Sequence, residues 1–87
     1  MPQNKPDDHP DYQSVLAKVY EVLRHYVTDT DLHEESELVA EYGMTSLQVM
    51  EMIADIEDAF DISVPLNIVP NIATVGDLAS EVKGLLA

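Results

Sequence analysis

Apolar residues recur at spacings of three and four in three stretches of the chain, with polar residues between them. In the first stretch Val15, Leu16, Val19, Val22, Leu23 and Tyr26 share one stripe, which predicts a helix over residues 12–27. In the second, Val49, Ile53, Ile56 and Phe60 follow at steps of four, three and four, while Gln48, Glu51, Asp55 and Asp58 lie together on another face. That spacing predicts a helix over residues 46–60 with a core side and an acidic, solvated side. In the third, Val75, Leu78, Ala79, Val82 and Leu86 form the stripe, and Thr74 with Asp77 three residues on reads as its N-terminal cap.

The segments between these stripes read differently. Residues 28–44 carry Thr28-Asp29-Thr30-Asp31, Glu34-Glu35 and Gly43, with Leu32, Leu38, Val39 and Tyr42 as apolar anchors, and they read as a long ordered loop. Val64 precedes Pro65 and is biased away from the α region, which ends the second helix. The run Leu66-Asn67-Ile68-Val69-Pro70-Asn71-Ile72 is apolar but interrupted by Pro70, so at most one helical turn fits before the proline. Residues 1–11 contain Pro2, Pro6 and Pro10 and lack apolar periodicity, and they are expected to be a disordered leader. With no internal repeat and no strand pattern, the expected fold is all-α, a small three- to four-helix bundle over residues 12–87.

Composition narrows the partners. Four basic residues against seventeen acidic ones give a formal charge of −13 and a pI near 4.1, which disfavours nucleic acid and anionic membrane surfaces and favours basic protein partners. No cysteine is present, so helix packing must hold the core without disulfide or thiolate metal. No apolar run approaches the roughly 20 residues of a membrane span. A cytoplasmic monomer is the expectation.

The candidate chemistry centres on Ser46 in Gly43-Met44-Thr45-Ser46-Leu47, at the start of the second helix. There it can serve as an N-cap or carry a phosphate, since exposed N–H groups and the positive dipole end favour an anion. Gly43 can take the backbone angles that bring the loop tightly into the helix. Asp29-x-Asp31-x-His33-x-Glu35-x-Glu37 suggests a calcium loop, but Glu34 stands where glycine is needed and Ala40 where the bidentate glutamate is needed. His9, His25 and His33 lack zinc spacing. Neither a Ser/His/Asp set nor a glycine-rich phosphate loop can be assembled, so no metal site and no independent catalytic centre is expected.

Gly43-Met44-Thr45-Ser46-Leu47, the helix to Phe60, Asp61-Ile62-Ser63-Val64-Pro65 and Ile72-Ala73-Thr74-Val75 together resemble an acyl carrier protein. The family's Gly-x-Asp-Ser-Leu motif, acidic second helix, Val-Pro pair and Ile-x-Thr-Val start of the last helix all keep their spacing. The resemblance implies that Ser46, flanked by Gly43, Thr45 and Leu47, bears 4′-phosphopantetheine from coenzyme A, whose terminal thiol holds acyl groups as thioesters. It implies as partners a phosphopantetheinyl transferase, an acyl-loading ligase or transferase, and synthase-type enzymes with basic docking patches.

Glu51, Glu57 and Asp58 match the family's acidic positions and, with Gln48 and Asp55, are candidates for partner docking. By resemblance Met44, Leu47 and Met50 form the apolar part of that surface, core packing being the alternative for Met50. Val49, Ile53, Ile56, Phe60, Ile68, Ile72 and Leu78 are candidates for an acyl cavity, and equally for ordinary core. Three departures are visible: Thr45 stands where the family usually has aspartate, Gln48 replaces a common acid, and 66–71 lacks the usual acidic short helix. They tilt the reading from housekeeping fatty-acid synthesis toward a dedicated fatty-acid, polyketide or peptide pathway. The rival from another class is a noncovalent acidic adaptor or nucleic-acid mimic.

Overall fold

The structure is a computed structural model that describes residues 11–28 and 31–86. The expected disordered leader lies, apart from Asp11, outside the described residues, as does the start of the Asp29 to Glu37 run. The described residues form three α-helices, α1 Tyr12–Leu23, α2 Ser46–Phe60 and α3 Val75–Leu86, with a 3-10 helix, Leu66–Asn71, ahead of α3. Among the described residues the only strand-like pairing is an antiparallel bridge between Glu37 and Thr74. The expected all-α bundle is what forms.

Helix α1 starts at Asp11, whose carboxylate accepts the Ser14 N–H at 2.8 Å. That bond holds the Asp11 carboxyl below its ordinary pKa. The helix ends four residues before the predicted residue 27. Its last carbonyls are taken in tight turns, Val22 by the His25 N–H and Leu23 by the N–H groups of both Tyr26 and Val27. The chain thereby leaves the helical path, and Val27 still reaches the core.

Both α2 and α3 pack on α1. The interface is built from Val15, Val19 and Leu23 of α1, Met52, Ile53 and Ile56 of α2, and Val75, Leu78, Ala79 and Val82 of α3, all buried. Val49 and Phe60, predicted for the core face of α2, are half-buried, and the fully buried Met52 takes a share of that face. Thr74 caps α3 as its spacing implies. Its hydroxyl accepts the Asp77 N–H at 3.0 Å, and the Asp77 carboxylate accepts the N–H groups of Ala73 and Thr74. Those bonds lower the pKa of Asp77.

The long loop is bonded to the start of α3 rather than draped over it. Leu38 N–H donates to the Ala73 carbonyl, Val75 N–H to Ser36 and Gly76 N–H to Glu34, at 3.0, 3.0 and 2.9 Å. Ser36, fully buried, receives the His33 N–H at 3.0 Å and the Tyr42 hydroxyl at 3.2 Å on its own oxygen. Leu38 and Met44 drop into the core, whereas Val39, expected as an anchor, stands 58% exposed. About one turn precedes Pro70, as expected, and the 3-10 helix accommodates the proline and continues to Asn71. Ile68 N–H to Pro65 and Ile72 N–H to Val69 supply its 3-10 bonds, and the absent Pro70 N–H removes only one of them.

Candidate functional site

Ser46 is the first residue of α2 and is exposed. It is not the cap. Thr45 caps the helix, its hydroxyl accepting the Gln48 N–H at 3.1 Å while the Gln48 Oε1 accepts the Thr45 N–H at 3.0 Å. In this reciprocal capping box two orphan donors of the first turn are satisfied by side chains. The N–H groups of Ser46 and Leu47 lie in the same turn and have no intrahelical acceptor. The Ser46 hydroxyl is therefore released from the capping role that serines at this position often fill.

The approach to Ser46 is set by Gly43, which sits at φ 68° in the left-handed region. A Cβ there would meet nothing within 4 Å, so the requirement for glycine is conformational and not one of space. Gly43 N–H donates to Val39 and Met44 N–H to Leu38, closing the turn that delivers the chain to Thr45.

A groove of about 400 Å³ opens beside the serine. Ser46, Val49 and Met50 of α2 form one wall, Leu38, Val39 and Met44 of the loop a second, and Val69, Pro70 and Ile72 the third. Of the seven acyl-cavity candidates, Val49 and Ile72 line this groove. Ile53, Ile56 and Leu78 are closed into the bundle core, and Ile68 packs half-buried against it. Phe60 lies elsewhere, with Lys18 5.3 Å over its ring. The groove is thus a surface feature between loop, α2 and 3-10 helix, and the packed core lies beneath it.

The docking candidates divide by what they already touch. Leu47 is 68% exposed and Met50 42%, so Met50 is not a core residue. Met44, read as part of the same surface, is instead buried at 4% exposure, because the Gly43 turn folds it inward. Glu51 and Asp58 are exposed. Asp55 accepts the Tyr26 hydroxyl, Glu57 accepts the Val64 N–H at 2.8 Å, and Gln48 completes the capping box. Those three side chains hold the fold together, a role their place on a polar helix face did not reveal. The first turn of α2 carries no acidic residue, so the immediate surroundings of Ser46 are apolar and uncharged despite the protein's charge.

An exposed hydroxyl at the N-terminus of a helix, reached through a tight glycine turn and bordered by an apolar groove, suits a phosphate-linked prosthetic arm. Residues 13–82 match the family model described as a phosphopantetheine attachment site. The chain is 39% identical over 66 residues to the acyl carrier protein of Sulfurovum sp., 76% of this chain and 85% of that one. A relative from Caulobacter vibrioides is 34% identical over 55 residues, 63% of this chain and 64% of that protein. The fold also matches the solved structure of a candidate acyl carrier protein from Mycobacterium tuberculosis, with a TM-score of 0.63 and 32% identity, covering 82% of this chain and 92% of that one. The chain belongs to the acyl carrier protein family. It carries a 4′-phosphopantetheine group and serves enzymes as a substrate-bearing partner without being one itself.

No helix among the described residues is long and apolar enough to cross a membrane. Among the same residues no cluster of His, Asp and Glu is arranged to hold a metal ion, and His33 is engaged locally with Glu35.

Proposed function

We propose that Ser46 is the attachment point of the 4′-phosphopantetheine group, and that the loaded carrier works in a dedicated acyl pathway. The observation that carries the first part is the division of labour at the start of α2: Thr45 takes the cap and leaves the Ser46 hydroxyl exposed at the helix N-terminus. When bound, the group supplies a thiol that holds an acyl chain as a thioester. The protein's own part is to present that arm from a rigid helix end and to offer the apolar groove beside it.

Support for a dedicated pathway comes from the departures around the site. Thr45, Gln48 and the uncharged run 66–71 make the surroundings of Ser46 less acidic than the family pattern. Partners would meet Leu47 and Met50 near the arm, with Glu51 and Asp58 facing basic residues on the enzyme. Exposed ion pairs of that kind act on encounter rate and orientation more than on affinity, which suits transient docking by a shuttle.

The test is incubation with coenzyme A and a promiscuous phosphopantetheinyl transferase, followed by intact-mass measurement. One added phosphopantetheine is expected on the native chain and none on Ser46→Ala. A native chain left unmodified, or a Ser46→Ala variant still modified, would overturn the assignment of Ser46.

A further inference from the structure

We propose that Thr45 and Gln48 are positioning residues for the modification of Ser46, an inference that rests on Ser46 being the attachment point. The two reciprocal bonds, 3.1 Å from the Gln48 N–H to the Thr45 hydroxyl and 3.0 Å from the Thr45 N–H to the Gln48 Oε1, enclose Ser46 and Leu47 between them. The backbone on both sides of the serine is therefore held by groups other than the serine. Were Ser46 itself the cap, its oxygen would be committed to a backbone N–H one turn on and turned back along the helix. With Thr45 in that role, the Ser46 oxygen stands free on the exposed first residue of α2.

The reaction needs that oxygen held still. The Ser46 Oγ forms a bond to phosphorus in the pyrophosphate of coenzyme A, the adjoining phosphoanhydride P–O bond breaks, and its electron pair leaves on the adenosine bisphosphate half. The serine proton passes to a base of the transferase. An attacking group on a frayed first turn would sample productive geometry for only part of the time, so loosening the box lowers the rate of transfer.

The chain contains its own control. A second capping box of the same form, Thr74 with Asp77, starts α3, its hydroxyl accepting the Asp77 N–H at 3.0 Å and the carboxylate returning the bond from the Thr74 N–H at 3.1 Å. Thr74 does not line the groove beside Ser46. Disrupting either box costs a helix cap, and only one of them precedes the serine.

The experiment compares Thr45→Val, Thr45→Ser and Thr74→Val in the full chain, following transfer by intact mass with coenzyme A and a promiscuous transferase, and recording Tm and far-UV circular dichroism for each. Thr45→Val should lower kcat of transfer by about 3- to 30-fold, the range expected for loss of one cap, with KM for the carrier within about twofold. Thr45→Ser should restore the rate. Thr74→Val should lose comparable Tm and be modified at the native rate. Should Thr45→Val fail to fold, Gln48→Ala makes the same comparison: it loses the Oε1 that accepts the Thr45 N–H and hydroxyl and keeps the backbone N–H that Thr45 caps. Modification of the Thr45 variant at the native rate, or equal slowing by Thr74→Val, would overturn the positioning role while leaving Ser46 as the attachment point. A native chain that is never modified would overturn both.

Discussion

Two tyrosines tie the α1 region to α2 and to the long loop through carboxylates, and both bonds depend on pH. Tyr26 follows the end of α1 and donates its hydroxyl to Asp55 of α2, while Tyr12, first residue of α1, donates to Glu34 of the loop at 2.8 Å. The Asp55 bond, followed by burial, pushes the Tyr26 hydroxyl up from 10.0 to about 12. For Tyr12 burial comes first and the Glu34 bond second, with the same result, about 12. A group whose pKa is raised on folding contributes stability that is complete below its unfolded pKa and lost as pH rises through the folded one. The window is therefore pH 10 to 12, and the loss runs in the alkaline direction. Tyr26→Phe should cost about 1 kcal/mol at neutral pH, the size of a partly exposed hydrogen bond to a charged acceptor. The Tyr12→Phe/Tyr26→Phe double variant should lose less further stability than the native protein as pH climbs through that window. Urea unfolding at neutral pH and across pH 10 to 12 checks both statements, and parallel alkaline limbs would remove the tyrosines from the account.

At the scale of an element, α2 is closed at both ends by hydrogen bonds, but its C-terminus has no charge complement within the helix. It ends on Asp61, the one described non-glycine residue in the left-handed region, at φ 56°, and no basic residue lies in its last turn. A carboxylate there faces the negative end of the helix dipole. Lys18 of α1 compensates from outside, its ammonium donating to the Ala59 carbonyl at 3.3 Å while lying over Phe60. Asp61→Asn keeps a residue that tolerates the left-handed conformation and removes the charge, so it should raise stability by about 0.3 to 1 kcal/mol, read as a higher urea midpoint at unchanged m. A lower midpoint would mean that the Asp61 carboxylate has a favourable partner. The sequence made the helices legible because 3.6-residue periodicity is a property of each helix alone. It also contains the capping box in plain form, Thr45-x-x-Gln48, although Ser46 next to it is an equally good cap by residue type, so spacing alone does not decide between them. What could not be read were contacts between segments: Asp55 and Glu57 sit on a polar face by spacing, yet their partners Tyr26 and Val64 come from elsewhere in the chain. Met44 and Val39 exchanged their expected roles for a similar reason, since the inside and outside of a loop follow its turns and not a fixed period.

For the whole molecule the governing quantity is charge. Seventeen acidic residues face four basic ones on 87 residues; among the described residues His33, charged only when protonated, meets Glu35 at 3.3 Å, while the Lys18 ammonium engages the Ala59 carbonyl and the Phe60 ring. The fold therefore rests on its apolar interface and its backbone bonds, while net self-repulsion works against it. Salt shortens the reach of that repulsion from about 10 Å at 0.1 M to about 3 Å at 1 M, and with four basic residues to seventeen acidic ones repulsive pairs outnumber the attractive pairs that salt also weakens. Tm should consequently rise with sodium chloride, steeply at first and then levelling above about 0.3 M as screening saturates. Each kcal/mol of repulsion removed corresponds to about 4 to 8 °C in a domain of this size. The shape of the curve separates this cause from preferential exclusion of salt, which would keep strengthening burial in proportion to concentration. Thermal unfolding in a sodium chloride series at neutral pH reads both the direction and the saturation. A flat or falling Tm would show that unassigned attractive pairs outweigh the repulsion. A rise without saturation would assign the effect to apolar burial, leaving net charge to act on partner encounter alone.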